Sequence, residues 1–368
     1  SMPHALLLLL LLLAVAPGCA GDCTIASAPG GQPLGFMAQY TADVCLGPSG
    51  AEGLAVAITT PDGNLGLGAA GVTAADGGAE VEEAGAFRVG PLSEFFVAVL
   101  VLRLVDQGRL DLDALLTDRV PTAVTDEPIA LRHLLAHRSG LKDYTKVTGI
   151  DLAAAAAPLD LLTTTIGKGT TSSPGDKHVV SATNYLALGV FLEELLGKPW
   201  GEGLHEELLD PFGLGATFVD GYDVLPDGLA AGHNGAGRDT TDRLHPANAH
   251  AALGIVTNTT DLDRLLRLAF EDDTFLTEES RLELRFPVGE SVDDVGFGFG
   301  VAVDRLDGEV VWRRDGVHPG GYGASFVYRP DLGVLGIALG NSKPSNLGYP
   351  ADLAARFGVR AVEPDEEE

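Results

Sequence analysis

The order of the predicted secondary structure constrains the fold of this chain more than any other feature. Strands are predicted near the N-terminus at 54–60 and 65–72, joined by the turn residues Pro61-Asp62-Gly63-Asn64. Further strands are predicted beyond residue 296 in two hairpins, 299–305 with 309–314 and 324–328 with 334–339. The middle of the chain is helical in pattern. This order predicts an α+β fold, in which an antiparallel sheet built from both chain ends is flanked by helices and carries an inserted, mainly helical lobe.

The predicted helices of the middle region cover 91–107, 129–137, 184–196 and 259–270. We therefore assign one domain to 35–360. Its sheet lobe comprises about 50–90 and 291–345, and its helical lobe about 91–290. An acidic tail over 361–368 follows the domain.

The N-terminus has the pattern of an export signal. Residues 5–16 form an apolar run that is too short to span a bilayer comfortably, and small residues and Cys19 follow it. This resembles a bacterial lipoprotein signal and predicts a signal peptide at 1–18, lipidation of Cys19 and a tether at 19–34. The alternative is an ordinary signal peptide cleaved after Ala16 or Ala20. Either way we expect an exported protein, periplasmic or extracellular, and the first predicts a lipid anchor in a bacterial membrane.

Cysteine content and charge limit the partners of the chain. If Cys19 carries lipid, Cys23 and Cys45 remain for a disulfide in an oxidising compartment. The chain has neither a Cys-x-x-Cys nor a Cys-His cluster, so we predict no metal and no cofactor. The formal net charge of −28 would repel nucleic acid and anionic membrane surfaces. Membrane contact is therefore expected only through the lipid anchor.

Four segments together resemble the serine β-lactamase-related family of class C β-lactamases, DD-peptidases and related esterases. Residues 131–141 read Leu-Arg-His-Leu-Leu-Ala-His-Arg-Ser-Gly-Leu, and residues 87–94 read Phe-Arg-Val-Gly-Pro-Leu-Ser-Glu. The others are Thr183–Gly189 and the stretch His318-Pro319-Gly320-Gly321. The resemblance covers about 35–345 and implies the fold of that family.

The resemblance also implies a catalytic apparatus that this sequence has lost. The family places a nucleophilic serine at a helix start, a lysine three positions on and a Tyr-x-Asn on a loop, with two backbone N–H groups for the oxyanion. Here Pro91 and Glu94 occupy the first two positions, and Val180 and Ala182 replace the Tyr and Asn. Proline has neither a hydroxyl nor an N–H, although it suits a first helical turn. We therefore predict a pseudoenzyme.

The third family motif is retained as His318-x-Gly320, where related enzymes use Lys or His to hold a substrate carboxylate. We expect the cleft to bind a peptide or peptidoglycan-like ligand. The candidate binding residues are Ser93, Glu94, Ser181, His318, Gly320 and Gly321.

Several alternatives remain open at this point. Glu94 and His318 would face one cleft and act on water as an acid/base pair in a hydrolase with a re-invented site. A structural or interaction role in the cell envelope is another alternative. Ser93 as a displaced nucleophile is disfavoured, because no lysine lies three positions on. His133 and His137 have metal-ligand spacing on a helix but lack the glutamate of a metalloprotease motif, so a metal site is disfavoured there.

Overall fold

The computed structural model describes residues 32–285, 296–343 and 347–362. The predicted signal peptide, Cys19, Cys23, most of the tether and most of the acidic tail lie outside the described residues. Cys45 is disulfide-bonded, and its partner also lies outside them.

Two groups of strands lie at the chain ends, as predicted. The strands are β1 (Gly53–Thr59), β2 (Leu65–Gly71), β3 (Phe87–Arg88), β4 (Phe218–Val219), β5 (His233–Asn234), β6 (Ile255–Thr257), β7 (Gly296–Phe297), β8 (Ala302–Leu306), β9 (Glu309–His318), β10 (Tyr322–Arg329), β11 (Val334–Gly340) and β12 (Ser342–Lys343). In the described part of the chain, four short strands that were not predicted, β3 to β6, lie between the two groups. Within the described ranges the main sheet has seven strands in the order β2-β1-β11-β10-β9-β8-β7, all antiparallel. The sheet is therefore built from both chain ends, as predicted.

Helices cover both faces of this sheet. They are α1 (Leu34–Ser49), α2 (Ser93–Asp106), α3 (Leu131–Leu135), α4 (Pro158–Ile166), α5 (Ala182–Leu196), α6 (Trp200–Leu204), α7 (Pro246–Leu253), α8 (Thr259–Glu271), α9 (Glu278–Arg285) and α10 (Gly348–Val362). A short 3₁₀ helix, Gly90–Leu92, leads directly into α2. In the described part of the chain, no helix combines the length and the apolarity needed to cross a membrane.

Helices α1 and α10 are absent from the sequence-based prediction. Both pack on one face of the sheet, where Met37 and Ala42 of α1 share a core with Ala351 and Phe357 of α10. The approach of α1 requires glycine in β2, because a Cβ on Gly68 would lie 2.3 Å from a backbone nitrogen of α1. The helix predicted over 129–137 is also shorter than expected, since α3 ends at Leu135.

Helix α2 forms the centre of the opposite core. Residues 93–102 of α2 are all buried. The run Phe-Phe-Val-Ala-Val-Leu-Val-Leu is apolar on every side, which is the pattern of a helix enclosed by other elements. The start of α2 is thereby held against the main sheet.

Candidate functional site

The start of α2 packs against the last residues of β9, and three alternate positions of the strand face it. A Cβ on Gly90, whose φ is 53°, would lie 2.9 Å from the Cβ of His318. A Cβ on Gly316 would lie 2.9 Å from the Cβ of Pro91. Arg314 is ion-paired with Glu94. Since alternate residues of a strand point to the same face, His318, Gly316 and Arg314 form one row along the helix start.

Pro91, which the sequence analysis aligns with the family nucleophile, places an apolar ring at the start of α2. The ring lies on the backbone of Gly316, so glycine is the residue that permits this close approach. The first turn of a helix tolerates proline because its N–H would have no intrahelical partner. Proline supplies neither a side-chain hydroxyl nor a backbone N–H at this point of the molecule.

Glu94 belongs to a buried, hydrogen-bonded chain of polar side chains. Its Oε2 contacts Nη2 of Arg314 and lies 3.1 Å from Nε2 of His137. Nδ1 of His137 lies 2.9 Å from Nδ2 of Asn184, and Oδ1 of Asn184 accepts a hydrogen bond from Ser139. Because the Asn184 amide nitrogen must then donate to Nδ1, the proton of His137 is assigned to Nε2, which donates to Glu94. In this network Glu94 is paired directly with Arg314, and the imidazole of His137 contacts the same carboxylate oxygen.

His137 occupies a backbone conformation that is unusual for a residue with a side chain. Its φ is 53°, in the left-handed region, and it follows the end of α3. The loop before α5 holds it there, since Val179 N donates to the carbonyl of His137 and Ser181 N donates to its Nδ1 at 3.3 Å. His133 instead accepts a hydrogen bond from Ala130 N. The helical spacing of a two-histidine metal site is therefore absent here, and no metal-binding group of three or more His, Cys, Asp and Glu side chains occurs among the described residues.

Aromatic residues enclose the polar network. The Cζ atom of Arg314 lies 4.6 Å from the ring centroid of Phe297, and the His137 ring lies 5.3 Å from the rings of both Phe297 and Tyr185. Burial raises the pKa of Tyr185 well above its usual range, so this phenol stays protonated near neutral pH. Tyr185 donates its hydroxyl hydrogen to the carbonyl of Leu135. It does not supply the base that the family motif would provide.

The serine candidates lie in structural positions. Ser93 is buried, and its Oγ accepts a hydrogen bond from Ile255 N at 3.0 Å. Ser181 immediately precedes α5, and within the described ranges its buried Oγ has no hydrogen-bond partner. Val180 is 46% exposed, and Ala182 is the first residue of α5. The loop that carries Tyr-x-Asn in the family therefore presents an apolar side chain to solvent.

His318, Gly320 and Gly321 form the turn between β9 and β10. Nδ1 of His318 accepts a hydrogen bond from Gly320 N at 2.9 Å, and its carbonyl accepts one from Gly321 N at 3.0 Å. The ring of His318 packs edge-on against Tyr322. These two glycine N–H groups thus have partners inside the turn.

The sequence analysis places the third motif at His318 and Gly320, but Arg314 and Gly316 are the residues that contact Glu94 and Pro91. The expected acid/base pairing of Glu94 with His318 is replaced by the pairing of Glu94 with Arg314. The local pattern His-Pro-Gly-Gly gives the shape of a turn, whereas the register of β9 against α2 decides which side chain reaches the helix. His137, Asn184 and Arg314 were not predicted as site residues, because these contacts join segments far apart in sequence.

One edge of β9 extends beyond its neighbour β8. Their pairing runs from Glu309 to Arg313 on the β9 side. The chain turns towards α2 at Gly300, whose φ is 81°. Gly300 packs closely on that helix, because a Cβ added to it would lie 3.1 Å from Cα of Phe95. The last five residues of β9 therefore have only β10 as a strand neighbour among the described residues.

The free edge of β9 can be assigned to particular backbone groups. The two-residue turn between β8 and β9 makes Glu309 a hydrogen-bonded partner across that hairpin. Strand alternation then directs the N–H and C=O groups of Asp315 and Val317 to the same side as those of Glu309. The hydrogen bond from Gly321 N to the His318 carbonyl is consistent with this assignment. It directs the carbonyl of His318, the residue after Val317, towards β10. Among the described residues, Asp315 and Val317 thus present two donors and two acceptors that no neighbouring strand pairs with.

A sheet built from both chain ends, with a buried helix that starts against one of its strands, defines the α+β fold of the β-lactamases and DD-peptidases. The chain belongs to the beta-lactamase family, whose Beta-lactamase model matches residues 42–360.

Relatives and solved structures agree with this assignment. Penicillin-binding protein 4 of Amycolatopsis lactamdurans is 28% identical over 302 residues, which cover 76% of this chain and 78% of that protein. The D-amino acid amidase from Ochrobactrum anthropi SV3, complexed with L-phenylalanine, superposes with a TM-score of 0.78 at 21% identity, covering 91% of this chain and 100% of the amidase. A D-stereospecific amidohydrolase from Streptomyces sp. gives a TM-score of 0.74 at 22% identity, covering 87% and 98%. The two structures establish the fold.

Proposed function

We propose that this chain is a non-catalytic member of the beta-lactamase family that binds a peptide-like ligand at the open edge of β9. One observation carries the proposal: the ring of Pro91 packs on Gly316 where the family has its nucleophile, and Glu94 is buried in an ion pair with Arg314. An acyl-enzyme cannot form at Pro91, because proline has no nucleophilic side-chain group. Removing a single oxyanion donor costs about 3 kcal/mol of transition-state stabilisation, and Pro91 lacks that donor too.

The peptide part of the proposal rests on the backbone of β9. An extended peptide adds to an exposed strand edge through main-chain hydrogen bonds, and Asp315 and Val317 present the groups required. The relatives named as a penicillin-binding protein and as amidases support a ligand that contains amide groups. A peptidoglycan-like peptide falls within this class.

A hydrolase that uses Glu94 and His318 is less well supported. The Oε2 of Glu94 already accepts from His137 and Arg314, and the side chain is only 2% exposed. A general acid or base must reach the proton that it transfers. A purely structural role would leave the β9 edge without a ligand, and the binding experiment below distinguishes that role.

The first experiment is covalent labelling of the purified protein with a fluorescent penicillin and with a fluorophosphonate probe. We expect no adduct above a heat-denatured sample, with the Amycolatopsis lactamdurans relative, Penicillin-binding protein 4, as the positive control. Stoichiometric labelling of the folded protein would overturn the non-catalytic proposal. Hydrolysis of p-nitrophenyl esters by the folded protein without any adduct would favour the hydrolase alternative.

The second experiment measures ligand binding by fluorescence anisotropy with a labelled, extended peptide, acetyl-Val-Thr-Val-Thr-Val-amide. Val317→Pro removes one edge N–H, whereas Val317→Ala shortens the same side chain and keeps the N–H. We expect binding to be lost in the proline variant and kept in the alanine variant, with both folded by circular dichroism. Equal binding by both variants would exclude this edge as the binding site.

We also propose that the protein is exported. Support comes from the disulfide at Cys45, because disulfides persist in oxidising compartments. Mass spectrometry of the protein from its native membrane fraction would test this. A diacylglyceryl mass on an N-terminal Cys19 peptide is the expected result, and an unmodified peptide that begins after Ala16 or Ala20 would show an ordinary signal peptide.

A further inference from the structure

The groups around the β9 edge also indicate which ends of a peptide the site accepts. Resting on the proposed function, we infer that the site binds internal or amide-terminated peptide segments and discriminates against a free C-terminal carboxylate.

The cation nearest to the helix start is already neutralised. Arg314 is 5% exposed, and its guanidinium is ion-paired with the carboxylate of Glu94. The ring of Phe297 lies over the same guanidinium. An incoming carboxylate would have to compete with Glu94 for this cation in a buried setting, where separating an ion pair is strongly unfavourable.

The anion of the pair has a second hydrogen-bond partner. His137 presents an N–H to Glu94, and its other nitrogen accepts from Asn184 and from Ser181 N. Glu94 is therefore held by hydrogen bonds from both His137 and Arg314.

The acidic side chain at the open edge is paired as well. Asp315 is ion-paired with Arg313 at 2.9 Å and accepts a hydrogen bond from Ser325 Oγ. The whole chain has a formal net charge of −28, and this negative field acts against a ligand that brings a further anion to the edge.

Two of the exposed side chains close to the edge are apolar. Val180 is 46% exposed and Val317 is 40% exposed. Val180 adjoins Ser181, whose N–H bonds to His137, so it lies at the rim of the same network. Uncharged peptide groups are therefore matched by the site, and a terminal carboxylate is not.

The test compares two labelled peptides that differ only at the C-terminus, acetyl-Val-Thr-Val-Thr-Val-amide and the same peptide with a free carboxylate. At low salt we expect the amide to bind the wild-type protein at least about fivefold more tightly, because like charges across an interface are unfavourable. The difference should shrink as salt is raised, since added ions screen exposed charges.

Two variants assign the discrimination to the ion pair. In Glu94→Gln the charge of Arg314 is released, so the preference should shift towards the carboxylate peptide by at least about fivefold. The double variant Glu94→Gln/Arg314→Gln has no charge at either position and should keep the preference of the wild type. If the single variant does not fold, as judged by circular dichroism, the wild type and the double variant together test the inference.

The outcomes separate the inference from the proposed function. Binding of neither peptide by the wild type would refute the proposed function and the inference together. Equal binding, or tighter binding of the carboxylate peptide, would refute the inference alone and leave the peptide-binding function in place. Loss of the preference in the double variant would also contradict it, because Arg314 would then have acted on the ligand.

Discussion

Disruption of the Glu94–Arg314 pair gives the most direct measure of how the buried polar network contributes to stability. Both side chains are nearly inaccessible, at 2% and 5% exposure, and the carboxylate also accepts a hydrogen bond from His137. Removing one partner of such a pair leaves a buried charge without compensation. We expect Glu94→Gln and Arg314→Met each to lower the free energy of unfolding by about 3–5 kcal/mol.

The double variant Glu94→Gln/Arg314→Met should lose much less than the sum of the two single variants. It buries no charge, and replacing a whole buried pair by uncharged groups is often nearly neutral. The resulting coupling energy should therefore exceed about 2 kcal/mol, within the range found for residues in one network. Urea unfolding at pH 7 and 25 °C, followed by circular dichroism, measures all four corners of the cycle.

A surface pair provides the matched control. Arg267 and Glu271 lie one turn apart on α8 with 26% and 28% exposure, and a pair of this kind contributes about 0.3–0.5 kcal/mol. A cycle with Arg267→Met and Glu271→Gln should accordingly give a small coupling energy. A coupling energy below about 1 kcal/mol at the buried pair, similar to the control, would refute the account of the network.

Three further predictions concern the same framework. Pro91→Ser alone should give no labelling by fluorescent penicillin in a gel assay, because Glu94 remains in place of the lysine; stoichiometric labelling would contradict this. Gly316→Ala should destabilise the protein by about 1–3 kcal/mol in urea unfolding, since its Cβ would meet the Pro91 ring at 2.9 Å, whereas Gly47→Ala, with open space around it, should not. Burial raises the pKa of Asp352 from 3.8 to about 6, above its unfolded value, so the stability that this carboxyl contributes at low pH is lost as the pH rises from about 4 to about 6. Asp352→Asn should abolish this loss of about 3 kcal/mol in unfolding curves measured across that range, and an unchanged pH profile would contradict the assignment.

The sheet was predictable from sequence because its strands and the turns between them have local sequence patterns. Asp307 and Gly308 occupy the turn between β8 and β9 with positive φ, as their residue types indicate. Helix α1 was missed for a physical reason. The sequence of α1 contains glycine and proline and has weak amphipathic character, and contact with the glycines of β2 stabilises it. Such tertiary contact leaves little trace in a local pattern.

The candidate site was predictable only in part. The sequence identified Pro91 and Glu94 as departures from the family pattern, because the helix start has a recognisable motif. It did not indicate that Arg314 is the partner of Glu94, since a shift of two residues along β9 leaves the strand pattern unchanged. The sequence analysis considered His137 only for its helical spacing from His133. Its contact with Glu94 depends instead on a turn after α3, which places His137 outside the helix.

The pairing of Glu94 with Arg314 also restricts how this chain can evolve. The family motif requires lysine at position 94. That single substitution would place the lysine beside Arg314, so that two cations would share a buried space. Serine at position 91 would have no adjacent base until that step had been taken. Each intermediate on the route back is therefore less fit to fold or no more active than its parent. If the chain is non-catalytic as proposed, its buried ion pair would therefore act as an epistatic barrier to gaining the chemistry of the family.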